Sequence, residues 1–186
     1  LKENIWVIYS EDGTKREETE YRKGVQHGRS LKWYPNAHLA ERGEFQENER
    51  HGLWISWYID GKKWMEQEYK KGKLHGRFSR WFPNTKKAEE GEYIEAKQHG
   101  PWTTWFDNGQ KHMEAVYNNG ERQGSHRLWH ESGQKLEEGE YQNGKEHGRW
   151  TYWYRTGEKK PEGPYRGGKR HGRWMLWWKN GQKVAE

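Results

Sequence analysis

The sequence predicts an all-β protein, an elongated single-layer antiparallel sheet built from tandem 24-residue β-hairpin units. Three observations predict this class: a tryptophan recurs every 24 residues, a glycine stands five residues before each copy, and turn dipeptides recur at two places in each period. A fixed period of about 20 to 50 residues is typical of repeat arrays. The recurring tryptophans are Trp33, Trp57, Trp81, Trp105, Trp129, Trp153 and Trp177.

Each unit is numbered from the recurring glycine, or its equivalent, which takes position 0. Full units begin at residues 4, 28, 52, 76, 100, 124 and 148, and a truncated unit runs from 172 to 186. The consensus is Gly-x-Trp-x-x-Trp-Tyr-x-Asn-Gly-x-Lys-x-x-Glu-Gly-x-Tyr-x-x-Gly-Lys-x-His. Because almost nothing lies outside the units, we expect one array over residues 1–186 rather than separate globular domains.

Two turn signals divide each unit into strands. Asp60-Gly61 and Asn108-Gly109 mark positions 8–9, and Asn119-Gly120 marks positions 19–20. Such dipeptides favour two-residue type I′ hairpin turns, since both residues accept a positive φ. The intervening segments are short and rich in Trp, Tyr and Thr, which favours strands over helices. Chained hairpins therefore predict about 16 antiparallel strands.

A two-residue turn at positions 8–9 also predicts the register. Position 2 then opposes position 15, position 1 opposes position 16, and position 5 opposes position 12. Position 2 is mostly aromatic and position 15 mostly small, so we expect each ring to lie over a small residue of its own hairpin. Arg29 opposite Glu44 would form a cross-strand charge pair, which contributes about 0.2–1 kcal/mol.

Composition excludes several classes of function. The 34 Lys and Arg and the 28 Asp and Glu give a net charge of +6, but they alternate along each unit. This pattern fits a solvated ladder of charge pairs and does not favour a nucleic-acid partner. The chain has no cysteine for disulfide, redox or thiolate-metal chemistry. No apolar stretch approaches the ~18 residues of a transmembrane segment. The start at Leu1, without a signal peptide, is expected to reflect processing or trimming and leaves the compartment open.

The recurring histidines at position 23 invite a metal interpretation, which the spacing opposes. Adjacent copies are expected ~9–10 Å apart, two strand spacings, whereas metal–nitrogen bonds are ~2 Å long. We predict no metal site and no cofactor, and expect each ring to bond backbone beside the glycine. No phosphate-binding, dinucleotide-binding, nucleophile or zinc-protease motif is present, so we predict no catalytic residues and no enzyme.

The aromatic rows at positions 2 and 6 are the predicted partner-binding face, with simple cover of the sheet as the alternative. Invariant position-5 tryptophans are expected to serve packing, and position 6 is expected on the opposite face. A single layer cannot hide both faces, and exposed contiguous aromatic area marks partner surfaces. The predicted residues are Trp54, Tyr58, Phe78, Phe82, Trp102, Phe106, Trp150, Tyr154, Trp174 and Trp178.

The unit from Gly124 departs most from the consensus. Gln123 replaces the usual histidine, and His126, Arg127 and His130 stand where small, aromatic or hydroxylated residues are usual. Since the fold does not require these residues, we predict that His126, Arg127 and His130 set partner specificity. Neutral drift and a catalytic histidine cluster are the alternatives, but no acid is uniquely placed to complete such a cluster.

The segment from Glu138 to Gly148, Glu-Gly-Glu-Tyr-Gln-Asn-Gly-Lys-Glu-His-Gly, resembles the heart of a MORN (membrane occupation and recognition nexus) repeat. The aromatic position 2 and the 24-residue period resemble the bacterial variant in the YwqK-type antitoxin family. The resemblance covers residues 4–186. It implies a protein-binding module, most concretely an antitoxin or immunity protein that binds and neutralises a protein toxin in the bacterial cytoplasm or the envelope and periplasm.

Three other functions remain open at this stage. The Gly-x-Trp-x-x-Trp-Tyr segments also resemble the choline-binding repeats of cell-wall proteins, whose aromatic cages hold quaternary ammonium groups. The MORN resemblance and the net charge of +6 suggest peripheral contact with anionic lipid. A scaffold with several protein partners would carry the same sequence features.

Overall fold

The computed structural model describes residues 3–178 and 180–185. Fifteen strands follow one another in chain order in one antiparallel sheet, and two further strands pair with each other. No helix occurs among the described residues. The predicted class of tandem antiparallel hairpins is therefore confirmed, with 17 strands in the described part of the chain where about 16 were expected.

The strand bounds repeat with the period of the sequence. They are β1 (Glu3–Tyr9), β2 (Lys15–Arg22), β3 (Val25–Trp33), β4 (Leu39–Gln46), β5 (Glu49–Trp57), β6 (Lys63–Lys70), β7 (Lys73–Trp81), β8 (Lys87–Ile94), β9 (Lys97–Trp105), β10 (Lys111–Asn118), β11 (Glu121–Trp129), β12 (Lys135–Gln142), β13 (Lys145–Tyr152), β14 (Gly163–Arg166), β15 (Lys169–Arg170), β16 (Leu176–Trp177) and β17 (Lys183–Ala185). Strand β16 pairs with β17 outside the fifteen-stranded sheet.

Packing divides the chain into two compact parts. The first part holds the residues up to Lys87 together with Tyr93–Ala96, and the second holds Ala88–Glu92 together with the residues from Lys97 onward. The expected single array over residues 1–186 stays a prediction. Residues 1, 2, 179 and 186 of that array lie outside the described residues.

The register follows the prediction along most of each hairpin. Trp54 at position 2 pairs with Gln67 at position 15, and Arg29 pairs with Glu44. The register then shifts at position 5, where Trp57 pairs with Lys63 of position 11 rather than with position 12. This part of the register prediction is wrong, because the loop between the strands is longer than a two-residue turn.

The loop at positions 8–9 is a three-residue loop, not the predicted type I′ turn. The Tyr58 N–H donates to the Lys62 carbonyl at 2.8 Å, and the Gly61 N–H donates to the Tyr58 carbonyl at 2.9 Å. Only Gly61, with φ 83°, is left-handed, as in the three-residue hairpin loop that ends on a left-handed residue. The Asp60 carboxylate accepts from the Lys62 N–H at 3.1 Å. Such side-chain bonding to backbone two residues ahead stabilises Asp in this turn.

The turn at positions 19–20 is the predicted two-residue type I′ turn. Asn119 and Gly120 have φ values of 51° and 87°, and they alone separate β10 from β11. Lys23 and Gly24 adopt the same conformation, with φ values of 52° and 81°. Hairpin geometry therefore holds this turn type even where the first residue is a lysine.

The glycine at position 0 creates a bulge in β3, β5, β7, β11 and β13. Gly28 has a φ of 104°, and residues 27–29 together face Glu20 of the neighbouring strand. The Glu20 carboxylate accepts from the Arg29 N–H at 2.9 Å, and a Cβ on Gly28 would overlap that carboxylate. Glycine is required here because both the positive φ and the close approach exclude a side chain.

The largest fully buried apolar side chains are position-2 tryptophans that lie on position-15 glycines. The indole of Trp54 lies over Gly43, where a Cβ would overlap the ring, and its Nε1–H donates to the Glu44 carbonyl at 3.1 Å. Gly43 belongs to the preceding unit, so the prediction that each ring lies over its own hairpin is wrong. The same relationship joins Gly91 to Trp102, Gly139 to Trp150 and Gly163 to Trp174.

Neighbouring side chains close the remaining surface of these rings. The Arg50 guanidinium lies 3.9 Å from the centroid of Trp54, while Phe45 and Tyr69 meet the indole edge-to-face at 5.0 and 6.2 Å. Arg50 is itself held by both carboxylate oxygens of Glu41 at 3.0 Å. A sheet with no covering helix thus buries Trp54 to 1% exposure, because backbone covers one side of the ring and a guanidinium covers the other.

Candidate partner-binding surface

The predicted residues at position 2 are buried and offer little surface to a partner. Trp54 and Trp102 are each 1% exposed, Phe78 and Trp150 are buried as well, and Trp174 is half-buried. The expectation that position 2 contributes exposed aromatic area is therefore not met, for the packing reasons given above. Partner contact at position 2 stays a prediction, without exposed surface to support it.

The predicted rings at position 6 are partly exposed. Tyr58, Phe82, Phe106 and Tyr154 are half-buried, and Trp178 is 59% exposed. The Tyr58 hydroxyl donates to the Trp81 carbonyl of the next unit at 2.8 Å, and burial raises the pKa of Tyr58. Tyr58 therefore joins consecutive units through its hydroxyl and keeps part of its ring accessible.

Two of these rings meet in an apolar hollow of the second part. The hollow has a volume of about 530 Å³ and is lined by Tyr154, Pro161, Leu176, Trp177, Trp178 and Val184. Leu176, Trp178 and Val184 are exposed, and the Lys160 ammonium lies 4.9 Å from the centroid of Tyr154. Apolar concave sites with aromatic walls suit the insertion of an apolar side chain.

The position-5 tryptophans lie under a ladder of lysines. The Lys63 ammonium lies 5.2 Å from the centroid of Trp81 in the next unit and 2.5 Å from the Glu66 carboxylate. Lys135 lies over Trp153 in the same way, at 5.5 Å. Exposed cation–π contacts contribute about 0.5–1 kcal/mol. The predicted Lys–Glu ladder is thus present at Lys63 and at Lys135, which lies 2.6 Å from Glu138, and both lysines also cover part of an indole. The predicted ion pair of Arg29 with Glu44 is wrong, because the Arg29 guanidinium reaches Glu18 and Glu20 of the preceding unit.

The three residues predicted to set specificity do not form one cluster. His126 is 2% exposed, and its Nε2 lies 3.1 Å from a Glu137 oxygen. Arg127 is exposed, 3.4 Å from Glu114, and by strand alternation it points to the face opposite His126. His130 is half-buried at position 6. Of the three, Arg127 has the accessible charge that a specificity role needs.

Arg127 lines a second, polar hollow on the charged face. The hollow has a volume of about 420 Å³ and is lined by Ser125, His126, Arg127, Glu138, Gly139, Glu140, Arg149 and Thr151. Its side chains carry both signs of charge, and the Arg149 guanidinium lies 2.7 Å from the buried carboxylate of Glu162. Such a surface can recognise a partner by charge complementarity.

Residues 50–71, 98–119 and 122–143 match the MORN repeat variant. The resemblance to MORN repeats is thus confirmed for these segments, and no curated protein matches the chain. MORN repeats commonly mediate protein or membrane binding, and proteins that contain them are generally non-enzymatic.

The recurring histidines at position 23 do not bond the backbone as predicted. The His27 Nδ1 lies 3.1 Å from a Glu47 carboxylate oxygen, and the buried Nδ1 atoms of His51 and His99 have no hydrogen-bond partner in the described part of the chain. That prediction is wrong, because the rings approach loop carboxylates or stay unpaired. Within residues 3–178 and 180–185, no group of three His, Asp or Glu side chains could hold a metal ion.

Sequence analysis missed two surfaces. Strand β1 exposes Ile5, Trp6 and Tyr9, and the apolar hollow includes Pro161 and Leu176. A signal for the first was visible as an apolar run in a chain with 33% charged residues. The second depends on how β16 and β17 pair, which the repeat pattern does not specify. The described residues include no helix that is long and apolar enough to cross a membrane.

Proposed function

We propose that this chain is a non-enzymatic module that binds another protein through the position-6 rings of its second part and the adjoining apolar hollow. The observation that carries the proposal is the hollow itself, where Tyr154 and Trp178 meet Leu176 and Val184. Exposed aromatic and aliphatic side chains around a concavity are the usual anchors of a protein interface.

The charged face supports the same proposal. Arg127 and Arg149 flank the carboxylates of Glu138 and Glu140 around the polar hollow, so a partner with matching charges would bind in one register. Complementary charges raise the association rate and reject wrong partners more than they add affinity. The net charge of +6 favours a partner with an acidic surface.

In its most concrete form, the partner is a protein toxin and this chain is the antitoxin or immunity protein that neutralises it. Neutralisation by covering a toxin needs area and charge complementarity and no catalytic group. The resemblance of the 24-residue units to the YwqK-type family supports this form of the proposal, and the three MORN repeat matches support the broader statement of protein binding.

The experiment is copurification with the product of a neighbouring toxin-like gene, followed by size-exclusion chromatography with light scattering. We expect a stoichiometric complex that Leu176→Ala and Trp178→Ala weaken at least about tenfold, which corresponds to ~1.4 kcal/mol. Ile59→Ala removes exposed apolar area from the first part and is the matched control. A complex that all three variants leave unchanged would remove the hollow from the interface, and no complex at all would remove the toxin.

Peripheral binding to anionic lipid is the second candidate, favoured by the net charge of +6 and by the membrane binding known for MORN repeats. Flotation with liposomes of graded anionic content separates it from protein binding. Flotation that rises with anionic lipid and falls with salt would favour the membrane. We expect the fraction of protein that floats with the liposomes not to depend on their anionic lipid content.

A further inference from the structure

Arginine recurs at position 22, and Arg50 shows how the fold supplies such a side chain with a counterion. The Arg50 guanidinium lies over Trp54, and its Nη2 donates to both carboxylate oxygens of Glu41 at 3.0 Å. Glu41 stands at position 13 of the same unit. The half-buried cation is thus paired within its own unit, since a charge removed from water without a partner is costly.

Arg122 has a similar pose but no such carboxylate. Its Nη1 donates to the Tyr141 hydroxyl at 2.9 Å, as the Arg50 Nη1 donates to the equivalent hydroxyl at 3.4 Å. Position 13 of its unit is Met113, which pairs with position 4 of the next unit as Glu41 does. No carboxylate of the described residues forms an ion pair with Arg122.

The groups around Arg122 leave its positive charge uncompensated. A guanidinium carries five N–H groups and no acceptor, and the hydrogen-bond partners of Arg122 in the described part of the chain are the Tyr117 and Tyr141 hydroxyls. Burial raises the pKa of Tyr141, so its hydroxyl is uncharged at neutral pH. Position 2 of the next unit is His126 rather than tryptophan, and the ring contact of Arg122 is with Tyr141 at 5.0 Å.

The charges near Arg122 favour a carboxylate over a phosphate as its ligand. Glu137 and Glu146 both act electrostatically on Tyr141, and Glu137 lies 3.1 Å from the Nε2 of His126. These carboxylates repel an incoming anion, and they repel a phosphate dianion about twice as strongly as a carboxylate. A carboxylate also matches the planar array of guanidinium donors.

We propose that Arg122 binds the carboxylate of an aspartate or glutamate on the partner protein, which takes the place that Glu41 has on Arg50. This inference rests on the proposed function for the source of the carboxylate. Arginine is one of the residues that dominate interface energies, and pairing it removes the cost of a half-buried cation without a counterion. Arg122 lines neither the polar nor the apolar hollow, so the site adds a third contact to the proposed interface.

The test is an NMR titration of the whole chain, observed at the arginine Nε–Hε resonances. The probes are the peptide acetyl-Ser-Glu-Ser-amide and a twin with glutamine in place of glutamate. We expect a saturable shift of the Arg122 resonance with the glutamate peptide and at least about tenfold weaker binding of the twin, which has no negative charge. The Arg50 resonance is the internal control and should not move, because Glu41 already occupies that guanidinium.

Met113→Glu and Met65→Glu are matched variants. Both methionines are half-buried at position 13, but position 22 of the unit is Arg122 in one case and Leu74 in the other. Met113→Glu supplies the carboxylate from within the chain, so it should abolish peptide binding and raise the urea midpoint above that of Met65→Glu. Met65→Glu should bind the peptide as the wild type does, and circular dichroism checks that both variants keep the sheet.

Four results would overturn the proposal: no saturable shift of the Arg122 resonance, equal binding of the two peptides, unchanged peptide binding in Met113→Glu, or tighter binding of inorganic phosphate than of the glutamate peptide. The titration needs no partner protein. A chain that binds the peptide but forms no complex with a toxin would therefore keep the carboxylate site and lose only the proposed partner.

Discussion

The indole of Trp54 lies on the backbone of Gly43, eleven residues earlier in the chain, so closely that a Cβ on Gly43 would overlap the ring. The relationship extends along the chain. Where position 15 of one unit is glycine, position 2 of the next unit is tryptophan. Where position 15 is larger than glycine, position 2 of the next unit is smaller than tryptophan. The glycine pairs are Gly43–Trp54, Gly91–Trp102, Gly139–Trp150 and Gly163–Trp174, and the others are Thr19–Ser30, Gln67–Phe78 and Ala115–His126.

The first prediction concerns Gly139. Gly139→Ala should lower the free energy of unfolding by about 1–3 kcal/mol, because the new methyl group overpacks the site under Trp150. Gly139→Ala combined with Trp150→His recreates the native Ala115–His126 pair. Urea denaturation of the four members of the cycle should show a favourable coupling of at least about 0.5 kcal/mol. Strict additivity of the two substitutions would contradict the steric explanation.

The second prediction reverses this change at the exceptional unit. His126→Trp alone should destabilise the protein by about 1–3 kcal/mol, because Ala115 occupies the space where other units have glycine. Adding Ala115→Gly should restore most of the lost stability, as thermal unfolding would show. If the His126→Trp variant unfolds at the same temperature as the wild type, the Ala115 methyl group does not limit the size of the ring at position 126.

These pairs explain how far the sequence could predict the fold. The period, the hairpins and the pairing of Arg29 with Glu44 followed from spacing and turn chemistry alone. The loop at Asp60-Gly61 did not, because Asp-Gly suits both a two-residue turn and a three-residue loop, and side-chain bonding to the Lys62 backbone favours the second. The burial of Trp54 also escaped prediction, since it depends on residues that belong to two different units.

The third prediction concerns the buried carboxylate of Glu162. It accepts from Arg149 at 2.7 Å, Thr151 at 3.1 Å and Lys159 at 3.2 Å. Glu162→Gln should cost about 1–3 kcal/mol in urea denaturation, because it weakens charge-assisted bonds at a buried site. Glu146→Gln, in the same part of the chain, is the control and should leave the urea midpoint within experimental error.

The same carboxylate predicts a pH dependence. Burial alone would raise the pKa of Glu162, but hydrogen bonds from Arg149 and Lys159 outweigh it and hold the pKa below 4.5. A lowered folded-state pKa means that this stability is present above pH 4.5 and is lost as the pH falls through the folded value. Unfolding followed from pH 6 downward should show a smaller acid loss in Glu162→Gln than in the wild type. If the stability of the wild type and of Glu162→Gln fell equally with pH, Glu162 would not be the source of this acid-dependent loss.

The fourth prediction concerns the first loop. The Ser10 hydroxyl donates to Asp12 at 2.6 Å and the Thr14 N–H donates to it at 2.9 Å, which together lower the pKa of Asp12 from 3.8 to about 2. The loop is therefore stabilised by the carboxylate above pH 3.8 and loses that contribution as the pH falls towards 2. In a carboxyl NMR titration, Ser10→Ala should raise the pKa of Asp12 towards 3.8, and an unchanged titration would count against the Ser10 contact.

The candidate surface was only partly visible in the sequence. Tyr154 and Trp178 were identified by their repeat position, and the structure brings them together with Leu176. The alternation of side chains along a strand could not show that Trp54 and Trp102 are covered. The cover comes from Gly43 and Gly91 on the preceding strands and, at Trp54, also from the Arg50 guanidinium. His126 attracted attention as a departure from consensus, and its role as a smaller core ring became clear only beside Ala115.

The most direct test of the account is an NMR measurement of the glycine Hα resonances under the tryptophans. We predict that Gly43, Gly91, Gly139 and Gly163 have Hα resonances shifted strongly upfield, with cross-peaks to the following indole, and that Trp54→Phe reduces the shift of Gly43 and leaves the others in place. Glycine resonances at ordinary positions, without contacts to an indole, would contradict the packing of each ring on the preceding unit.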